Sequence, residues 1–348
     1  MTEKTSLNYR DAGVDIAAQD EALARARESI RASFTPGVIG DVGSFGGLFD
    51  LARAGAEGEV IVASADGVGT KLEVAVRCGV YGTVGRDLVQ HCINDILVQG
   101  ARPLFFMDYV GTGKLAPEVV SALIGGCAAA CADNGLALLG GETAEMPGLY
   151  REGDFDLVGF IVGSVARERL LDGSRVRAGD VLLGLGSDGL HTNGYSLARK
   201  ILFEREGLEV EDRPAELEGK SVGEALLAPH RSYLDSLWPA LTEDRVHALA
   251  HITGGGLRDN LPRVLGEHHA RIERGAWDIG CLFRFLCERG SLEADEAYQV
   301  FNMGIGMVAV VAAGEAEALA RELAERGERT AVIGTVEEGS GPVVWAGE

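Results

Sequence analysis

Three acidic residues have the type and spacing for metal-assisted chemistry. Asp66 ends the β-branched run EVIVASAD (59–66), which reads as a buried strand delivering a carboxylate at its tip. Asp95 interrupts the apolar helical run CINDILVQGA (92–101), where an unpartnered buried carboxylate is costly. Glu142 follows directly after LALLGG and reads as a second strand tip; Glu145 is a secondary candidate. Magnesium binds through few carboxylates and lets substrate phosphates complete its shell. Three converging acids would suit it, although spacing alone equally allows three unrelated acids, each satisfied locally. The stretch DGVGTK (66–71) adds glycines that let backbone N–H groups approach an anion, and a lysine that supplies point charge. It lacks the spacing of a Walker A loop, and a tight turn with a solvated Lys71 explains it as well.

Two further glycine-rich stretches invite the same question. GLGSDGLHTNG (184–194) places Gly184, Gly186 and Gly189 at G-x-G-x-x-G spacing between a strand and a helix, the dinucleotide fingerprint. The acidic ribose partner that such a site needs about 20 residues on is missing; only the charged EGLEVEDRPAE follows. HTNGY instead opens a helix with hydrogen-bonding side chains, a place for a phosphate or polar substrate. HITGGGLRDN (251–260) sets three glycines before a short helix, with His251, Thr253 and Arg258 beside them. Asp87, His91 and Asp95 fall at i, i+4 and i+8 on one stripe, and the spacing predicts a helix-surface His91 paired with Asp87. No G-x-S-x-G, H-E-x-x-H or cysteine nucleophile motif occurs, so nothing requires a covalent protein intermediate.

The elements that must position these residues alternate. Helical patterning covers 16–33, and 35–50 reads as a long loop. Helices at 85–101 and 116–135 alternate with strands at 59–66, 103–113, 136–148 and 156–167. The strand at 136–148 breaks into a polar loop after its double glycine. A boundary falls at 169–180, giving domains 1–169 and 170–348. The second half repeats this alternation, with strands at 181–186, 246–252, 301–312 and 330–336 and helices at 194–205, 229–241 and 315–327. Residues 207–228 read as a charged surface excursion. The class is α/β with mixed α+β character.

Composition bounds the rest. With 348 residues, two domains are expected, and 46% apolar residues allow a large core. A net charge of −21 leaves no basic stripe for nucleic acid. The start carries no signal-peptide pattern and no run reaches membrane-spanning length. The six cysteines lack zinc spacing and read as small buried thiols of a reducing cytoplasm.

Taken together, the segments resemble the phosphoribosylformylglycinamidine cyclo-ligase (AIR synthetase) family of purine biosynthesis. The resemblance runs from YRDAGVDI (9–16) through GSFGG, DGVGTK, NDILVQGARP, GGETAEMPG, HTNGYSL and HITGGG to FNMGIGM (301–307). DGVGTK and the acidic residues recur more loosely in a wider ATP-using superfamily. That group includes formylglycinamidine synthase, selenophosphate synthetase, thiamine-monophosphate kinase and a hydrogenase-maturation protein. GGETAEMPG with HTNGYSL is narrower and picks out the cyclo-ligase. A kinase of that superfamily, a non-catalytic nucleotide sensor and a dehydrogenase are the rival readings.

The resemblance implies an N-terminal mixed-sheet domain that pairs into a barrel-forming homodimer, and a C-terminal α/β sandwich. It implies ATP and Mg²⁺ as cofactors, formylglycinamidine ribonucleotide as substrate, and no nucleic-acid or membrane partner. Asp66, Asp95 and Glu142 are then the expected metal ligands. Gly43, Ser44, Gly46, Gly47, Asp66, Gly67, Gly69, Thr70, Lys71 and Asn193 are the expected nucleotide contacts, with the loop Gly43–Gly47 closing over ATP. Thr143, His191, Thr192, Asn193, Gly254, Gly255 and Gly256 are expected at the substrate, the last three seating its 5-phosphate. Lys71 and His191 carry the expected catalytic roles, on phosphate and on a proton respectively.

Overall fold

The computed structural model describes residues 38–40, 47–50, 52–53 and 58–346. Its first half is a six-stranded sheet ordered β1-β2-β3-β6-β4-β5. The strands are β1 (Val38–Ile39), β2 (Gly47–Asp50), β3 (Val60–Gly67), β4 (Arg102–Thr112), β5 (Ala137–Glu145) and β6 (Phe155–Val165). All neighbours are antiparallel except β4 and β5. Helix α1 (Lys71–Cys78) follows β3, α2 (Gly82–Leu97) precedes β4, and α3 (Pro117–Asp133) links β4 to β5. Helices α2 and α3 cross backbone to backbone: a Cβ on Gly85 would stand 2.2 Å from the Leu123 carbonyl oxygen, and one on Gly126 2.1 Å from that of Gly82. Only glycine permits that approach.

The second half is another six-stranded sheet, ordered β12-β9-β11-β7-β10-β8. Its strands are β7 (Val181–Gly186), β8 (Ala248–His251), β9 (His268–Ile272), β10 (Ile305–Val311), β11 (Thr330–Glu338) and β12 (Val344–Trp345). Its helices are α4 (Tyr195–Arg199), which runs on as a π-helix through Arg205, then α5 (Val222–Leu226), α6 (Leu234–Thr242), α7 (Gly256–Asn260), α8 (Cys281–Gly290), α9 (Ala294–Val300) and α10 (Ala316–Glu325). Every residue of β10 is buried, so this sheet is covered on both faces at its β10 strand. The first sheet is covered on one face only. On the other, Phe160, Met107 and Leu139 are 43%, 39% and 63% exposed.

Three expectations need correction. Part of the loop at 35–50 is strand, since Val38–Ile39 pairs with β2 and β2 pairs with β3. The strand at 136–148 does not break at Gly140–Gly141; it pairs with β4 as far as Glu145, so Glu142 lies inside β5. The one register irregularity skips Leu139, and both glycines stay in the ladder opposite Met107 and Asp108. Residues 207–228 are more than a surface excursion. Leu217, Val222 and Leu226 enter the core, and Ser221 and Glu224 form a reciprocal capping box on α5. Residues 268–272, 281–290 and 294–300, given no element from the sequence, form β9, α8 and α9. The thiols of Cys92, Cys127 and Cys131 are buried as expected, whereas Cys78, Cys281 and Cys287 are half-buried.

Candidate active site

The site is built on α2. Its stripe Asp87, His91, Asn94 and Asp95 is polar yet buried. Such a stripe needs partners, and the second half supplies them. Asp87 accepts from the backbone N–H of His230 at 2.7 Å, and Asn94 accepts from that of Tyr233 at 3.1 Å. Asn94 also donates to the Arg231 carbonyl at 2.8 Å. Segment 228–233 thus has backbone groups satisfied by side chains of the other half, which fixes how the two halves meet.

At one end of this stripe lies an ion pair. Lys71 opens α1 and is completely buried. Its ammonium lies 2.6 Å from Asp87 and donates to the carbonyls of His191 (3.1 Å) and Ala228 (2.9 Å). An ammonium has three donors, and all three are used. Burial lowers Lys71 and raises Asp87, while their close contact opposes both shifts. The expected phosphate contact of Lys71 is therefore corrected: no donor is left for one. The carbonyl it holds belongs to a strained residue, because His191 has φ +60°, a left-handed conformation rare for a side-chain-bearing residue.

At the other end the expected pairing of His91 with Asp87 also fails. His91 is buried and places Nε2 2.7 Å from Asp66 Oδ2 and 3.4 Å from Asp95. Its Nδ1 meets Thr192 Oγ1 at 2.7 Å. Asp95 Oδ1 lies 2.8 Å from His251 Nδ1, and Ser64 donates to its other oxygen at 3.3 Å. Burial lowers the basicity of His91, but the two carboxylates outweigh it and hold the imidazolium well above its ordinary range. Burial raises Asp66 and Asp95, and the His91 charge reverses this, leaving both below the usual carboxylate range. Asp66 is the outlet of this cluster to solvent, with its side chain 45% exposed.

A layer of imidazoles lies behind. His191 stacks on His230 with ring centroids 4.0 Å apart, and His230 and His251 meet through their Nε2 atoms at 3.1 Å. Burial lowers all three, so they are neutral near pH 7. Among the described residues, buried Nδ1 of His191 has no hydrogen-bond partner.

The remaining expected residues fall in three places. Gly69 (φ +63°) and Thr70 abut the HTNG turn: a Cβ on Gly69 would lie 3.8 Å from the Thr192 carbonyl, and Thr70 Oγ1 is 3.1 Å from Ser196 Oγ. Gly67 lies between them and Asp66, and no side chain caps the N-terminus of α1. Asn193 lies against Gly254, next to Gly255 and Gly256. Asn260 donates to the carbonyls of Gly254 (3.2 Å) and Gly256 (2.8 Å), locking that turn.

Glu142 and Thr143 stand apart. Glu142 is level with Tyr109, Val158 and Gly67 across the sheet. Three strand spacings make that roughly 14 Å from β3. Alternation also puts Glu142 on the face opposite Asp66, whose row runs through Gly159, Asp108 and Gly141. Within one chain the three acids do not converge. Gly47 opens β2 opposite Ala63, while Gly43, Ser44 and Gly46 lie outside the described residues.

Sequence reasoning missed His230, saw Asn94 only as a polar interruption of its helix, and misassigned His91. For His91 the i, i+4, i+8 stripe was the usable signal. For His230 there was none, because its partners, from Asp87 and Asn94 to Thr192 and His251, meet it only through tertiary packing.

Two halves of this shape are shared with other proteins. Family models described as AIR synthase related protein match residues 46–165 (N-terminal domain) and 177–347 (C-terminal domain). Among solved structures, a thiamine-monophosphate kinase from Stenotrophomonas maltophilia is 20% identical with a TM-score of 0.65, covering 94% of this chain and 96% of that one. T. maritima PurL complexed with AMPPCP is 16% identical with a TM-score of 0.55, covering 90% of this chain and 44% of that chain. At these identities the likeness is one of fold.

Sequence relatives are far nearer. Phosphoribosylformylglycinamidine cyclo-ligases of Lactobacillus delbrueckii subsp. bulgaricus and Geobacillus kaustophilus are 45% and 47% identical, covering 95% and 96% of this chain and the same shares of theirs. The chain belongs to the phosphoribosylformylglycinamidine cyclo-ligase family.

Proposed function

We infer that this chain is an ATP-dependent ligase that closes formylglycinamidine ribonucleotide to 5-aminoimidazole ribonucleotide, releasing ADP and phosphate, in purine biosynthesis. The observation that carries this is identity of 45–47% to cyclo-ligases across nearly the whole of both chains. ATP phosphorylates the formamide oxygen, turning a poor leaving group into a good one. The amidine nitrogen of the same molecule attacks the activated carbon, the C–O bond breaks, and phosphate departs with that oxygen. Ring closure is intramolecular, so the protein's task is to hold a near-attack geometry and exclude water.

The residues divide that task. Asp66 is the half-exposed carboxylate that would meet Mg²⁺, with Asp95 behind it. A hard cation that takes one or two carboxylates plus phosphates fits this donor set. When bound, Mg²⁺ would neutralise charge on the transferring phosphoryl group. The uncapped N-terminus of α1, reached through Gly67, Gly69 and Thr70, offers backbone N–H groups to the nucleotide phosphates. Gly43, Ser44, Gly46 and Gly47 close over it. Lys71 is a positioning residue that holds the strained His191 carbonyl. His191, held neutral by burial, is the side chain assigned to the proton released as the ring closes. Thr192, Asn193 and Gly254–Gly256 hold the substrate.

We further propose a homodimer through the first sheet. The outer edge of β5 is unpaired among the described strands, and the uncovered face carries exposed Phe160, Met107 and Leu139. Long open edges and apolar faces are what association removes. Glu142 and Thr143 lie on that edge strand, so their metal and substrate roles require a site completed by a second copy. No helix among the described residues is long and apolar enough to cross a membrane, and a cytoplasmic location suits the free thiols. The test is one assay with ATP, magnesium and formylglycinamidine ribonucleotide. Equal formation of aminoimidazole and phosphate supports the reading; ATP binding with no substrate-dependent phosphate rejects it.

A further inference from the structure

His91, His230 and His251 come from α2, from the segment before α6, and from the end of β8. Each offers one ring nitrogen, and the three lie within 4.8 Å of one another. All three side chains are buried. Imidazole nitrogens bound tetrahedrally at about 2.0–2.1 Å from a zinc ion stand about 3.3 Å apart. The Nε2 atoms of His230 and His251 are already 3.1 Å apart.

The outer shell is also in place. A metal-bound imidazole gives one nitrogen to the metal and anchors the other on a carboxylate or similar acceptor, which fixes ring and tautomer. His251 anchors Nδ1 on Asp95 Oδ1 at 2.8 Å. His91 anchors Nδ1 on Thr192 Oγ1 at 2.7 Å, and His230 places Nδ1 3.4 Å from the same hydroxyl. His230 and His251 thus face each other through Nε2, with Asn94 Nδ2 also 3.2 Å from that of His230, while His91 turns Nε2 to Asp66 and Asp95. Asp66, 2.7 Å from His91 Nε2 and half-exposed, gives the corner its opening to solvent and an oxygen for a fourth position.

We propose that His91, His230 and His251 form a binding site for a divalent transition metal of the zinc or cobalt type, separate in donor chemistry from the oxygen ligands that magnesium takes. Imidazole suits such ions, whereas carboxylate and phosphate suit magnesium. His91 belongs to the first half and the other two to the second, so a bound ion ties the halves together. To ligate, His91 gives up the ring proton it shares with Asp66, so the ion breaks that pair and inhibits turnover. The site is independent of the reaction assigned above, because its occupancy is read without ATP or substrate.

The experiment is a cobalt titration of the chelator-treated full chain in excess magnesium. One Co²⁺ per chain is expected, with the intense visible absorption of low-coordinate imidazole ligation, no thiolate charge-transfer band, and displacement by Zn²⁺. Zn²⁺ should also raise the Tm of the wild-type chain. His230→Gln and His251→Gln should each weaken cobalt binding by more than the roughly 10–100-fold that loss of an outer partner costs. Weak six-coordinate absorption, a thiolate band or no binding would overturn the proposal on the wild-type chain alone. So would His230→Gln binding cobalt as tightly as wild type.

Discussion

Two buried ionic clusters sit on the same helix, two turns apart, and they have opposite fates. Around Asp87, the Lys71 ammonium spends its three donors on a carboxylate and two carbonyls, with nothing exposed. Around Asp95, one imidazolium is shared by two carboxylates, and one of those reaches solvent. A closed cluster can only hold structure, whereas an open one has a group left over for a ligand. Lysine next to glycines suggested chemistry and turns out to be a strut. Histidine mid-helix suggested a surface pair and turns out to be central.

The largest expected effect breaks the open cluster. Asp66→Asn should lower kcat by roughly 10²–10³, the cost of losing one transition-state electrostatic contact, with Tm nearly unchanged because the side chain is half-exposed. Steady-state kinetics beside a thermal melt decides it; kcat within a few-fold of wild type would remove Asp66 from the site.

The closed cluster should answer in stability instead. Lys71→Met leaves Asp87 buried and uncompensated, and should cost about 3–5 kcal/mol in denaturant unfolding. Adding Asp87→Leu should recover part of that loss. Where the single variant remains folded, its KM for ATP should stay near wild type. A large rise in KM with stability untouched would return Lys71 to the phosphate.

These two clusters also mark what the sequence could and could not reveal. Strand β3 with Asp66 at its end, the α2 stripe and the HTNG turn were legible, because period and glycine punctuation are local signals. Which stripe residue meets which partner was not, since Asp87 meets Lys71 and His230, and Asp95 meets His251, only through tertiary packing. The misplacement of Glu142 has a different cause. A double glycine ordinarily ends a strand, and here pairing with Met107 and Asp108 of β4 carries β5 through it.

A third prediction concerns the acid left outside. Asp66→Asn and Glu142→Gln should each be inactive alone. If Glu142 serves a site shared between copies, equal mixing and subunit exchange should restore roughly a quarter of wild-type activity. Half of the dimers would then be mixed, each with one intact site of two. No recovery would confine both acids to a single chain or remove Glu142 altogether.

The smallest effect is in pH dependence. His191, His230 and His251 are held below their ordinary range by burial, so the unfolded chain binds more protons there, and their stabilisation is lost as pH falls below about 6.5. His91 is raised, so its contribution is full below about 6.5 and fades only as pH rises through its higher folded value. Three groups outweigh one, and stability should fall on acidification from about pH 7.5 to about 5.5. His230→Gln should remove up to about 1.4 kcal/mol per pH unit of that slope. Chemical denaturation at several pH values reads it, and an unchanged slope would mean that His230 is not held neutral.

Phosphoryl activation of the formamide oxygen is the step on which the proposed chemistry turns, and an isotope follows that atom directly. Formylglycinamidine ribonucleotide carrying oxygen-18 in its formyl group would be turned over with ATP and magnesium, and the released phosphate analysed by mass. The label should pass to inorganic phosphate, one atom per ring closed. Phosphate free of label, with aminoimidazole still formed, would contradict the mechanism, because the oxygen would then have left without ever having been phosphorylated.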